Sequence, residues 1–382
     1  MIIDRSLFSV DGECNMAKVK LPAGPAELTA DWLTWALRET DTIGNCSVRS
    51  FEYEVIGEGV GLLGQLARVR LQYDRLEAGA PASVVGKFPA AVQENRDLAN
   101  LFRFYEREVR FYEQIADEVE LRTPRRYFSH FDNETNDFVL LMEDLSAARC
   151  GNQVAGCARE EAAVTVLNMA PFHATWWNRV DTSRLDWIPY GNDPINHFAE
   201  SSYNDGWENF ARNFGHRLSP RAMAIAERLK TKIIAMANAF ASPPRTIVHG
   251  DLRYDNLFFG AEGEMAVCDW QIVSRARGPY DVAYFLSQSV NPADRRAIEM
   301  DILHRYHEKL LERGVAGYSF NQCFDDYRTS AMFCLVYPVV AGGNLDLANE
   351  RGAELVTALL DRSVATILDL DCRYLVPVGR IE

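Results

Sequence analysis

Between Val248 and Trp270 the chain places three oxygen-bearing side chains at spacings suited to work on a phosphate. The run Val248-His249-Gly250-Asp251-Leu252-Arg253-Tyr254-Asp255-Asn256-Leu257 carries an Asp after a short apolar stretch and an Asn five residues later. Val267-Cys268-Asp269-Trp270 then delivers a second Asp at the end of another apolar stretch. Phosphoryl transfer needs such a set: one carboxylate to orient an attacking hydroxyl, and hard oxygen donors for the magnesium that bridges the phosphates. Asn256 and Asp269 are donors of that kind. A merely solvated acidic loop between strands would also carry an isolated Asp-x-x-x-x-Asn, so the surrounding elements matter.

Those elements read as two lobes of an α+β protein. Two short apolar runs around turn residues in 246–270 suggest a β-ribbon set among helices. Upstream, Leu28, Trp32, Leu33, Trp35 and Leu37 fit a helix over 26–39, and alternation over 48–73 around a glycine cluster predicts a hairpin. Ser83-Val84-Val85-Gly86-Lys87-Phe88 reads as a third strand. Leu98, Leu101, Tyr105, Tyr112 and Ile115 predict one long helix over 96–119, ending before Thr123-Pro124. Strand-like runs at 126–131 and 138–142 flank the turn residues 132–137 and complete an antiparallel sheet. From Arg159 onward helix patterns dominate: 160–177, 203–214, 220–240 and 292–313. No repeat at solenoid periods interrupts this order.

With 382 residues, 48% hydrophobic and 25% charged, the chain has the composition of a folded protein of about two domains. A net charge of −14 argues against nucleic acid and anionic membrane surfaces as partners. The eight cysteines form no CxxC pair and no zinc-ligand spacing, as expected of reduced thiols in a cytoplasmic protein. Charges interrupt the first 20 residues, and no run approaches the roughly 20 apolar residues of a membrane span.

His249-Gly250-Asp251 with Asn256, then Asp269-Trp270, resembles the catalytic and metal motifs of the aminoglycoside phosphotransferase and choline kinase superfamily, which has a protein-kinase-like fold. The runs 246–259 and 267–285 resemble more narrowly the bacterial phosphotransferases near the choline/ecdysteroid-kinase-like group. The resemblance implies ATP and Mg2+, Asp251 as catalytic base, and Asn256 and Asp269 as metal ligands. It also implies a strand lysine, Lys87, paired with a helix glutamate, for which Glu108 on the apolar stripe is a better candidate than Glu106 at its edge. Gly57, Gly59 and Gly61 would cover phosphates in a loop that departs from the strict protein-kinase spacing. Glu143 and Leu145 would lie in the adenine-contacting hinge. Asp281 fits either a brace for the catalytic loop or a helix N-cap. The expected organisation is a mobile tail over 1–25, a nucleotide-binding lobe with a small antiparallel sheet and one long helix over 26–145, and a larger, mainly helical lobe with the acceptor pocket over 146–382.

Only a few residues separate Asp269 from Asp281, which leaves no long segment to dock a polypeptide and favours a small hydroxylated acceptor. The aromatics His173, Trp176, Trp177, Trp187, Tyr190, Tyr203, Trp207, Phe210 and Phe214 are expected to be mostly core, with some left for the pocket. Apolar alcohols, choline-like amines, aminoglycosides and hydroxyacyl thioesters all stay open as acceptors, the last with Arg103, Arg107, Arg125 and Arg126 as anion-binding candidates. ATP against GTP and the oligomeric state also stay open. The competing readings are a catalytically silent pseudokinase that binds nucleotide or regulates, which the intact Lys87, Glu108, Asp251, Asn256 and Asp269 oppose, and a metal-assisted hydrolase, which would leave Lys87 and Glu108 unexplained.

Overall fold

The computed structural model describes residues 20–57, 63–261, 263–344 and 350–372. Most of the expected tail, and Gly59 and Gly61 of the glycine cluster, lie outside them. The chain divides into two compact units, one reaching Leu101 and including Arg126–Asp144, the other formed by Phe102–Arg125 and everything from Leu145 onward.

The first unit is built on a five-stranded antiparallel sheet. Helix α1 (Ala30–Glu39) starts where the Thr29 side chain accepts the Trp32 N–H, and it precedes the hairpin of β1 (Val48–Ile56) and β2 (Gly64–Tyr73). Strand β3 (Ser83–Pro89), helix α2 (Gln93–Leu101), β4 (Arg126–Phe131) and β5 (Phe138–Glu143) follow, with the sheet in the order β1-β2-β3-β5-β4. Alternation puts Ala67, Val69, Val84, Phe88, Val139 and Leu141 into one core with Leu33 and Leu37 of α1. Trp32 and Trp35 meet the edge of Phe128 at 5.6 and 5.2 Å, which fixes α1 against β4.

The second unit begins with a departure from the sequence expectation. The predicted long helix is two helices, α2 and α3 (Phe104–Gln114), because Arg103 adopts the left-handed conformation (φ 56°). The Arg103 guanidinium donates to Glu106 at 2.8 Å, one turn into α3. The two halves of the apolar stripe therefore end in different surroundings: Leu98 and Leu101 are exposed, whereas Tyr105, Tyr112 and Ile115 are buried.

Beyond β6 (Arg149–Cys150), helices α4 (Arg159–Trp176), α5 (Phe198–Phe214), α6 (Pro220–Leu229) and α7 (Ile233–Phe240) lead to the ribbon. The single helix expected over 220–240 is broken before Ile233, and the Glu200 carboxylate accepts the Ile234 N–H at 3.1 Å in the first turn of α7. The ribbon contains β7 (Thr246–Val248), β8 (Leu257–Phe259), β9 (Met265–Val267) and β10 (Ser274–Ala276). Strand β7 pairs with β10, and β8 lies between β6 and β9. Helices α8 (Pro279–Ser289), α9 (Pro292–Glu312), α10 (Phe320–Cys334), α11 (Val336–Asn344) and α12 (Glu350–Asp369) complete the unit. Every residue of α8 is buried, as suits a helix at the centre of a helical domain.

Candidate active site

Pairing of Val248 with Ser274 brings the end of β7 beside the start of β10, and the chain leaves β7 directly into His249-Gly250-Asp251. Gly250 turns there with φ 88°, and a Cβ on it would sit 2.5 Å from the Ile272 carbonyl oxygen. No other residue fits that turn without moving the backbone. The turn's amides are held by Asp281 from the first turn of α8: its carboxylate accepts the N–H of His249 at 2.7 Å and of Gly250 at 3.0 Å. It also meets His173 Nε2 at 3.2 Å, and His173 Nδ1 meets the Tyr306 hydroxyl at 2.8 Å, all three side chains being fully buried. Asp281 is thus the brace rather than an N-cap; the cap position of α8 is Gly278, with no side-chain cap.

The loop in turn fixes Asp251. Its N–H donates to His249 Nδ1 at 3.2 Å, while His249 Nε2 lies 2.9 Å from the Cys268 carbonyl, which assigns the ring proton to Nε2. Around the Asp251 carboxylate, the Tyr284 hydroxyl donates to Oδ1 at 2.6 Å, and Arg253 Nε lies 3.3 Å from Oδ2. Burial and then the Asp251 charge hold the Tyr284 phenol well above its ordinary pKa, so it stays a donor. Asp251 itself is the main cause of a raised Arg253 pKa. Asn256 Nδ2 donates to the Asp251 carbonyl at 2.9 Å, which leaves the amide oxygen as its acceptor atom.

Strands β8 and β9 bring the second oxygen donor alongside. Leu257 pairs with Val267, and the Cys268 N–H donates to the Asn256 carbonyl at 2.9 Å, so Asn256 and Asp269 leave adjacent strand ends. Asp269 takes a left-handed conformation (φ 64°), unusual for a residue other than glycine and a re-aiming of its side chain at the strand end. The next residue anchors it. Trp270 is fully buried, stacks on Phe111 of α3 at 3.8 Å and 6°, and donates to the Val267 carbonyl at 3.1 Å. Arg107, also on α3, donates to the Val273 carbonyl from Nη2 at 2.6 Å and Nε at 3.1 Å. Burial brings its guanidinium down to about 9. Arg107 therefore tethers the segment after Asp269.

The remaining expected residues are placed as follows. Glu108 on α3 is buried, and Glu106, largely buried as well, pairs with Arg103 and Arg110 at 2.8 Å from each. Lys87 is buried on β3, opposite Leu66 and Leu140. Gly57 follows β1 directly, with φ 72°. Glu143 closes β5 opposite Val84, and Leu145 is buried two residues on, at the division between the units. The intervening Asp144 accepts from Ser83 at 2.7 Å and Arg68 at 3.0 Å, pinning the end of β5 within its sheet.

Most of the aromatics flagged before the Asp251 loop are structural. Tyr203, Trp207, Phe210 and Phe214 line a core cluster, and Tyr203 donates to the Ala226 carbonyl. Trp187 donates to Gln114, and Tyr190 lies under the Arg275 guanidinium at 3.7 Å. Tyr280 and Tyr284 belong to the same core cluster with Tyr337 packed against it, and Tyr284 alone of the three donates to Asp251; Tyr284 meets Tyr337 at 4.9 Å edge to face, and the hydroxyls of Tyr280 and Tyr337 are hydrogen bonded. The signal for them was in Gly278-Pro279-Tyr280-Asp281-Val282-Ala283-Tyr284, since Asp281 and Tyr284 stand one turn apart on one helix face. Arg253, two residues after Asp251, was legible but had no spacing rule to mark it.

The donor set suits magnesium held with help. Among the described residues no cluster of three His, Cys, Asp or Glu could hold a metal alone. Asn256 and Asp269 are hard oxygen donors, and a magnesium ion there would complete its shell with phosphate oxygens and water, the usual arrangement for this ion at nucleotides.

A profile of the ecdysteroid kinase-like family matches residues 58–314 of this chain. No curated protein matches its sequence closely enough to count. Among solved structures, a Ralstonia eutropha protein provisionally named an aminoglycoside phosphotransferase is similar at 14% identity, with a TM-score of 0.56 over 90% of this chain and 97% of that one. The complex of APH(2")-IIIa with GDP and kanamycin is similar at 13% identity, with a TM-score of 0.51 over 88% of this chain and 99% of that one. A choline kinase from Cryptosporidium parvum aligns at 10% identity, with a TM-score of 0.47 over 91% and 95% of the two chains. The first two share the fold of this chain, a bilobal protein-kinase-like α+β architecture.

Proposed function

The chain belongs to the ecdysteroid kinase-like family, and we propose that this small-molecule kinase transfers the γ-phosphate of ATP to a hydroxyl of a small acceptor, with Asp251 as the base. The observation that carries the reading is the fixed carboxylate of Asp251 on a loop braced by Asp281, with Asn256 and Asp269 at adjacent strand ends. In this reaction the acceptor hydroxyl donates to Asp251, its oxygen bonds to the γ-phosphorus, and its proton passes to the Asp251 carboxylate. The bond from the γ-phosphorus to the bridging oxygen breaks with its electron pair, which leaves on ADP. Asn256 and Asp269 would hold magnesium, whose charge offsets that developing on the phosphate oxygens. Lys87 on β3 is the cation assigned to the phosphates. Gly57, with Gly59 and Gly61, would cover the phosphates, and Glu143 to Leu145 would receive the adenine.

The tyrosines beside Asp251 support an acceptor whose hydroxyl adjoins an apolar or quaternary ammonium face, since aromatic rings bind both. The location proposed is the cytoplasm. In support, the seven described cysteines are all free, and among the described residues no helix is long and apolar enough to cross a membrane. The test is formation of a phosphoester, read by phosphorus NMR, from Mg-ATP or Mg-GTP and a panel of apolar alcohols, choline-like amines, aminoglycosides and hydroxyacyl thioesters. A phosphoester in the first two classes is the expected result. One formed only with aminoglycosides would overturn the acceptor assignment, and nucleotide binding with no product from any class would favour the pseudokinase.

A further inference from the structure

The hydroxyl of Tyr284 reaches the Asp251 carboxylate from a helix that already holds the loop's main chain. Asp281 and Tyr284 lie one turn apart on α8; the first takes the amides of His249 and Gly250, and the second donates to Asp251 Oδ1 at 2.6 Å. The Tyr284 ring is itself immobilised. It is buried, meets the edge of Tyr337 at 4.9 Å and lies 6.3 Å from Tyr280, and those two neighbours are joined through their hydroxyls. A buried phenol held by aromatic neighbours has few other orientations, so the carboxylate it binds is restrained about its terminal torsion, which is otherwise broad.

We propose that Tyr284 is a positioning residue for phosphoryl transfer: by occupying Oδ1 it turns Oδ2 of Asp251 toward the acceptor hydroxyl. This rests on the reading of Asp251 as the base. Tyr284 keeps its proton throughout, and the proton released by the acceptor goes to Oδ2. Arg253 Nε at 3.3 Å and Asn256 Nδ2 at 3.4 Å border the same oxygen, which places it at the edge of the magnesium donor set. A carboxylate rotated away from that edge would still be charged and still be near, but misaligned, and misalignment of a reacting group costs on the order of 10- to 100-fold in rate.

The experiment compares the wild type, Tyr284→Phe, Asp251→Asn and the double variant in the full-length protein, with Mg-ATP as probe and water as the acceptor, reading released inorganic phosphate. Tyr284→Phe is expected to lower kcat on the order of 10-fold with KM for ATP unchanged. The same substitution in the Asp251→Asn background is expected to change nothing further, because its effect acts through that carboxylate. Loss of the same size in both backgrounds would mark Tyr284 as merely structural and overturn the proposal, as would a wild-type kcat for Tyr284→Phe. If Asp251→Asn alone kept wild-type kcat, the base reading itself would fall, a result distinct from either. Should Tyr284→Phe fold poorly, 3-fluorotyrosine at position 284 keeps the hydroxyl; a rate within about twofold of wild type is expected for it, and a loss equal to that of Phe would contradict the hydrogen-bond account.

Discussion

Replacing Asp281 with Ala strips the loop that carries Asp251 of its brace at two backbone amides. The N–H groups of His249 and Gly250 are buried and donate to Asp281 at 2.7 and 3.0 Å, and Ala offers no acceptor in reach. A buried donor left unsatisfied costs roughly 1–3 kcal/mol, so the pair costs about 2–6 kcal/mol. Asp281→Asn keeps one acceptor oxygen and presents an amide N–H to the other donor, so about half that cost is expected. The assay is urea unfolding of both variants together with hydrogen exchange of peptides spanning 246–257. Protection there should fall by a factor of about 30 or more in Asp281→Ala and less in Asp281→Asn. Unchanged protection in Asp281→Ala, with an unchanged urea midpoint, would refute the assignment of Asp281 as the element that holds the loop.

Gly250→Ala combines a left-handed φ of 88° with a Cβ 2.5 Å from the Ile272 carbonyl, so a destabilisation of about 2–5 kcal/mol is expected in urea unfolding. Lys87→Ala should lower kcat/KM for ATP on the order of 100-fold while leaving the fold intact by circular dichroism; unchanged kinetics would remove Lys87 from the phosphate site.

The strands were legible because alternation over 48–73, 83–88 and 126–142 has a period that only a half-buried strand satisfies, and each became a member of one sheet. The long helix over 96–119 was not, because its apolar positions continue almost in phase across Arg103, and a single left-handed residue leaves no mark in a hydrophobic pattern. That Asp251, Asn256 and Asp269 come together could be read from residue types and order, since they come from one short ribbon whose strand pairing sequence proximity makes nearly inevitable. What surrounds Asp251 could not. Tyr284 lies 33 residues away and Tyr337 another 53, and their meeting depends on the packing of α8 against the later helices. The aromatics flagged instead, Tyr203 to Phe214, had the helical spacing of a core stripe and proved to be one. Arg107 was similarly ambiguous: charge suggested a ligand, and only burial against the Val273 carbonyl gave it a structural task.

The central claim, that Asp251 takes the proton from the acceptor while other groups hold the nucleotide, is tested most directly by measuring both properties in one variant. Asp251→Asn should bind Mg-ATP with the wild-type Kd in a calorimetric titration and lose turnover by a factor on the order of 100 to 10,000, the contribution typical of a general base. Wild-type turnover in that variant, with nucleotide binding intact, would contradict the account.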